Sequence, residues 1–134
     1  MTQPAPFARL SPCKINLYLD VRSPRPDGFH EVVTVIEPVA LCDRLVFRVL
    51  PEELAVSCDR PEIPQGKENI VYRAAVLLRE RSGSRRGASV RIEKRVPSGA
   101  GLGGGSADAA TALRALDELW GTGLAEGALR ELAL

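Results

Sequence analysis

The sequence predicts an α+β fold. Two segments carry apolar residues at helical spacing, and several others alternate apolar and polar residues as strands do. Strands dominate the first half and helices the second, rather than alternating regularly along the chain. The third observation is a dense glycine run placed between a strand and a helix. The 134 residues, 45% apolar and 26% charged, fit one domain and are too apolar for wholesale disorder.

Phe7 to Val21 reads as a strand, with Ile15, Leu17, Leu19 and Val21 alternating. The stretch from Ser23 to Gly28, with two prolines and a glycine, breaks it. Glu31 to Ala40 and Arg44 to Leu50 read as two further strands, and Leu54 to Ser57 as a weaker one. Pro61 to Lys67 is a loop. Asn69 to Arg81 has a helical stripe of Ile70, Ala74, Leu77 and Leu78, with Asn69 as N-cap. After a turn over Ser82 to Gly87, Ala88 to Val96 alternates again. Ser106 to Trp120 is a helix on the spacing of Ala109, Leu113, Leu116 and Trp120, and Gly121 to Gly123 ends it. Leu124 to Leu134 has helical composition and stops without a cap or breaker, which predicts a piece of a longer protein.

Charge excludes little globally, since 18 basic and 17 acidic side chains nearly cancel. Locally, seven basic residues and two acids lie between Arg79 and Arg95. That stretch lacks the aromatics that stack on bases, so no nucleic-acid partner is expected. No apolar run approaches a membrane span, and Met1 to Leu10 is not a secretory signal. The three cysteines, Cys13, Cys42 and Cys58, form neither a disulfide framework nor a zinc motif and read as free thiols in a cytoplasmic protein.

The strongest chemical signal is Pro97-Ser-Gly-Ala-Gly-Leu-Gly-Gly-Gly-Ser-Ala107, in which five of the seven positions from Gly99 to Gly105 are glycine. Glycine permits positive φ and close approach of a ligand to the backbone, and a following helix start binds anions. Ser106 offers a hydroxyl either to the helix N-terminus or to a phosphate-bound magnesium ion. The Walker pattern fails because Gly105 stands where lysine is required. A dinucleotide pattern matches at Gly99, Gly101 and Gly104, but the preceding strand is half charged and no acid-bearing strand end follows. Lys94 occupies the inward parity of Val90, Ile92 and Val96, so it either snorkels to the edge or points at an anion. Near the N-terminus, Lys14 and Asn16 share a strand face. His30, the single histidine, follows a turn in which Asp27 precedes Gly28.

Together these segments resemble one family. Pro12-Cys-Lys-Ile-Asn16, Arg25-Pro-Asp-Gly-Phe-His30, Asn69 in Glu-Asn-Ile-Val, Lys94-Arg-Val-Pro97 and Gly101-Leu-Gly-Gly-Gly-Ser106 stand in the order found in the 4-diphosphocytidyl-2-C-methyl-D-erythritol kinases, a branch of the GHMP kinases. The glycine loop alone indicates the superfamily, and the PxKIN and RPDGxH segments select the branch. The resemblance implies a GHMP-kinase N-terminal domain of ribosomal-protein-like β–α fold, with a mixed, mostly antiparallel sheet and helices on one face. Residues 1–134 would be the ATP-binding portion, without the C-terminal domain.

The implied reaction transfers the γ-phosphate of ATP to the 2-hydroxyl of 4-diphosphocytidyl-2-C-methyl-D-erythritol, with Mg2+, in the non-mevalonate route to isoprenoid precursors. By matching positions, Lys14 is the expected catalytic lysine and Asn16 a substrate contact. Phe29 would stack on the cytosine and His30 hydrogen-bond it; the family often has tyrosine where Phe29 stands. Asn69 and Lys94 fall near the adenine nucleoside. Pro97, Ser98, Gly99, Ala100, Gly101, Leu102, Gly103, Gly104, Gly105, Ser106 and Ala107 match the ATP loop, with Ser106 its one hydroxyl near the helix start and the expected magnesium contact. The family's Gly-[Ala/Ser]-Asp-Val-Pro segment, which carries the base for the substrate hydroxyl, has no match in this sequence, so the 134-residue chain by itself is expected to be inactive. The rival readings are a non-catalytic nucleotide-binding module and another GHMP small-molecule kinase.

Overall fold

A computed structural model describes residues 5–133. Strands β1 (Phe7–Pro24), β2 (His30–Leu50), β3 (Leu54–Cys58) and β4 (Gly87–Glu93) form a four-stranded sheet in the order β1-β2-β4-β3. Helices α1 (Ile70–Ser82), α2 (Gly104–Trp120) and α3 (Glu126–Leu132) complete the fold. β1 with β2 and β2 with β4 are antiparallel, and β3 with β4 is parallel. The parallel pair needs a crossover, which α1 supplies. This is the expected mixed, mostly antiparallel α+β arrangement.

Alternation sets the layers. Leu45 and Phe47 on β2, Val56 on β3 and Ala88, Val90 and Ile92 on β4 point one way and are buried. Val71, Ala75 and Leu78 of α1 and Ala112, Leu113 and Leu116 of α2 join them in the same core. The other parity of β4 keeps Arg91 exposed. Trp120 closes the core near β4, where its indole N–H donates to the Gly87 carbonyl at 3.1 Å.

β4 ends at Glu93 rather than running to Val96, and three other elements differ more from expectation. The two strands expected over residues 31–50 are one, β2. Val39 to Leu41 is looped out of register opposite Cys13, between the pairs Pro12↔Cys42 and Lys14↔Pro38. A bulge of this kind interrupts alternation without ending the strand. The second half of β1 is not half-buried: Leu17, Leu19 and Val21 are all exposed, as are Val32, Val35 and Ile36 opposite them. The β1–β2 hairpin runs beyond the helical layer, so both its faces are uncovered here. Finally, α2 begins at Gly104, two residues before Ser106, because Gly103 turns into it at φ +67°.

The last helix, expected over Leu124 to Leu134, is realised as α3; Leu134 and the first four residues of the supposed non-signal segment lie outside the described residues. Among the described residues no helix is long and apolar enough to cross a membrane. The three cysteines are free thiols, Cys13 buried and the others partly so. The basic stretch is largely engaged on the surface: Arg81 pairs with Glu131, Arg85 with Glu52 and Arg91 with Glu93, and Arg79 donates to the Glu52 carbonyl.

Candidate functional site

A cleft of about 430 Å³ opens between α1, β4 and the start of α2. That volume lies within the range of small-molecule sites. Asn69 and Lys94 line it together with Pro97, Ser98, Gly99, Gly101 to Ser106, and Asp108. Ala100 and Ala107 belong to the same loop but do not line the cleft. Ile63, Pro64, Ile70 and Ile92 form an apolar wall suited to a flat base. Of these, Ile63 and Pro64 come from the segment that reads from sequence only as a loop.

The glycines here meet specific demands. Gly99, Gly101 and Gly103 have φ of +72°, +75° and +67°, a region that side chains other than asparagine and aspartate seldom adopt. At Gly104 the demand is space, since a Cβ would lie 2.9 Å from Val96 Cγ1 and 3.2 Å from Lys94 Nζ. Gly103 caps α2 with no side-chain hydrogen bond, so the first-turn N–H groups are left for a ligand. Ser106 is therefore not the N-cap; it sits within the first turn, exposed to solvent.

Lys14 lies against this loop. Its backbone N–H donates to the Leu102 carbonyl at 3.0 Å and its ammonium to the Gly101 carbonyl at 2.9 Å. The ammonium has three donors, so this bond leaves two for another acceptor. Asn16 follows on the same face of β1, in unbroken register from Lys14↔Pro38 to Asn16↔Ile36, and accepts from the Thr34 hydroxyl at 3.1 Å. Phe29 and His30 stand exposed at the turn of the hairpin, outside the cleft. Ten strand positions separate Lys14 from Pro24, the register partner of His30. A straight strand of that length spans roughly 33 Å, but two register shifts bend this one. The structure thus joins Lys14 to the glycine loop and leaves the Phe29 and His30 pair apart from it. Asn69 accepts from the Val71 N–H at 2.8 Å, the expected cap of α1, and donates to the Pro64 carbonyl at 2.9 Å.

Lys94 neither snorkels nor faces an open anion site. Its ammonium is buried, donating to Asp43 at 2.6 Å and to Asp108 at 3.0 Å. Asp108, which from its place in the first turns of the helix reads as a dipole or capping residue, is instead 2% exposed and an ion-pair partner. Burial pushes the Asp108 carboxyl up, and the neighbouring Asp43 adds to this, to about 6 despite Lys94. Burial acts on Asp43 too, but the bonds from Lys94 and from the N–H groups of Val96 and Arg95 outweigh it and hold that carboxyl below its ordinary value. For Lys94, burial favours the neutral amine, yet the two carboxylates hold its pKa above normal. Sequence reading missed Asp43, a lone aspartate just past a bulge. The available signal was the inward parity of Lys94, which demands a buried counter-charge.

The chain is similar in sequence and fold to known proteins. Residues 69–134 match the family described as GHMP kinases N terminal domain. The 4-diphosphocytidyl-2-C-methyl-D-erythritol kinase of Pelotomaculum thermopropionicum is 52% identical over 125 residues, covering 92% of this chain and 44% of that protein. The protein of the same name from Symbiobacterium thermophilum is 50% identical over 121 residues, covering 90% of this chain and 43% of its own length. A crystal structure of 4-(cytidine 5'-diphospho)-2C-methyl-D-erythritol kinase superposes with a TM-score of 0.78 at 43% identity, over 94% of this chain and 46% of that one. The chain therefore spans less than half the length of these relatives. On its sequence, its sheet and its glycine loop, the chain belongs to the GHMP kinase family and carries that family's N-terminal domain.

Proposed function

We propose that this chain is the ATP-binding portion of a kinase that phosphorylates the 2-hydroxyl of 4-diphosphocytidyl-2-C-methyl-D-erythritol. The observation that carries the reading is the glycine loop: three positive-φ glycines, an N-terminus of α2 without a side-chain cap, and the Lys14 ammonium bonded to the loop. Backbone N–H groups from Gly99 to Ser106 would receive the ATP phosphates. The adenosine end would lie against Asn69, the side chain of Lys94 and the apolar wall of the cleft. Lys14 would offset negative charge on the transferring phosphoryl group, the main protein contribution to this chemistry. Asn16 would orient the substrate, while Phe29 and His30 would hold its cytosine. The sequence similarity to kinases of that name supports the choice of substrate.

A magnesium ion fits only as an ion carried by the phosphates, with the exposed Ser106 hydroxyl as a protein ligand. The described residues contain no cluster of three acids, histidines or cysteines able to hold a metal. The chemistry supplied there when the ion is bound would be neutralisation of phosphate charge, with Ser106 as the residue that would hold it. The two carboxylates beside the loop are buried and bonded to Lys94. Asp43 also accepts from the Arg95 and Val96 N–H groups, whereas Asp108 is bonded through Oδ2 alone, its Oδ1 having no partner among the described residues. Residues 1–134 alone should accordingly release no ADP.

The test is an ADP-release assay of the full-length protein with the cytidine-bearing substrate. Turnover is expected, with kcat lowered at least ~10²-fold in Lys14→Ala. His30→Ala should raise KM for the cytidine-bearing substrate and leave KM for ATP nearly unchanged. Turnover only with a different alcohol would replace this substrate by that of another GHMP kinase. ATP binding without turnover on any alcohol would favour a nucleotide-binding module.

A further inference from the structure

The glycine loop is tied down at both ends by the same buried group. On the entry side, Asp43 of β2 accepts from the N–H groups of Arg95 and Val96 at 2.7 and 2.8 Å. On the exit side, Asp108 stands on the second turn of α2 and accepts from Lys94 at 3.0 Å. The Lys94 ammonium closes the connection by donating to Asp43 at 2.6 Å. Asp43, Asp108 and Lys94 are 0%, 2% and 8% exposed.

A buried ion pair is weak as a source of stability, because desolvation offsets most of its attraction. What this one does geometrically is specific. The segment after β4 that enters the loop is held directly by Asp43 on β2, and the helix that leaves the loop is joined to it through Lys94 and Asp108. The loop between them has three positive-φ glycines and few side chains with which to fix its own shape, so its backbone entropy is high. Gly104 extends the same arrangement, since it packs without a Cβ onto Val96 and the Lys94 ammonium.

We propose that Asp43, Lys94 and Asp108 form a buried staple that fixes the two ends of the glycine loop and so holds its N–H groups ready for phosphate. They are positioning residues: the Lys94 ammonium acts on the loop, not on the nucleotide. The role in phosphate binding rests on the kinase reading above, whereas the fixing of the loop does not.

The isosteric variant Asp108→Asn in the full-length protein tests this. Backbone 15N order parameters would be measured without ligand, and KM for ATP and kcat with it. Loop amides from Gly99 to Gly105 should fall from rigid values near ~0.85 to below ~0.6, while α1 and β4 keep theirs. KM for ATP should rise at least ~5-fold, with kcat changed less than ~2-fold. Unchanged loop order, or a loss of order spread equally over α1 and β4, would overturn the staple. Loop-confined loosening with unchanged KM for ATP would sustain the staple and remove the nucleotide reading instead. Should Asp108→Asn not fold, the double variant Lys94→Met with Asp108→Asn removes the ammonium and one of its two carboxylates and leaves Asp43 its bonds from the Arg95 and Val96 N–H groups. It is read by loop order alone, because Lys94 also lines the cleft.

Discussion

Gly103 is the residue on which the phosphate reading bears hardest. Its φ is +67°, and a Cβ there would lie 3.0 Å from Lys14 Cε. Valine at this position is strained by its backbone and would also displace the lysine. Gly103→Val in the full-length protein should abolish ATP binding, measured by calorimetry, while far-UV circular dichroism stays native. A folded variant that keeps its ATP affinity would count against the loop. Residues of this kind were legible in the sequence because glycine is the residue that most readily tolerates such positions. The staple was not, because its members lie far apart in the chain (Asp43, Lys94 and Asp108) and no spacing rule links them. Lys94 announced itself by its parity; its partners became visible only once β2 and α2 were packed together.

At the scale of elements, α1 shows why some boundaries were readable. Asn69 caps it with a 2.8 Å bond to the Val71 N–H, and Gly83 ends it at φ +73°. Both are local signals of the helix code. Asn69→Ala should lower stability by about 1 kcal/mol in urea unfolding, and it should weaken ATP binding because Asn69 also lines the cleft. An unchanged midpoint would remove the cap from the account. β2 was misread as two strands because a bulge looks, in sequence, like a strand end. The early start of α2 was missed for a related reason: glycines are poor helix formers, and tertiary contact with Val96 overrides propensity at Gly104.

The whole molecule shows a closed core under α1 and α2 and an open hairpin beyond it. Val21 and Val32 are register partners on that hairpin, 59% and 52% exposed. Such paired aliphatics on an uncovered ribbon favour association. Residues 1–134 alone should self-associate in sedimentation velocity, and Val21→Lys with Val32→Glu, which exchanges the apolar pair for opposite charges, should shift the distribution toward monomer. A monomeric starting chain would contradict this. The sequence alternation along β1 correctly indicated a strand, but periodicity cannot say whether a layer lies over it.

The central claim is that the loop from Gly99 to Ser106 receives the phosphates of ATP. A non-hydrolysable ATP analogue titrated into the isotopically labelled full-length protein, followed at the backbone amides, addresses it most directly. Saturable shifts should concentrate at Gly99 to Ser106, at Lys14 and at Asn69, and inorganic phosphate should not reproduce those at Asn69. Saturable binding that leaves the loop amides unmoved would contradict the account.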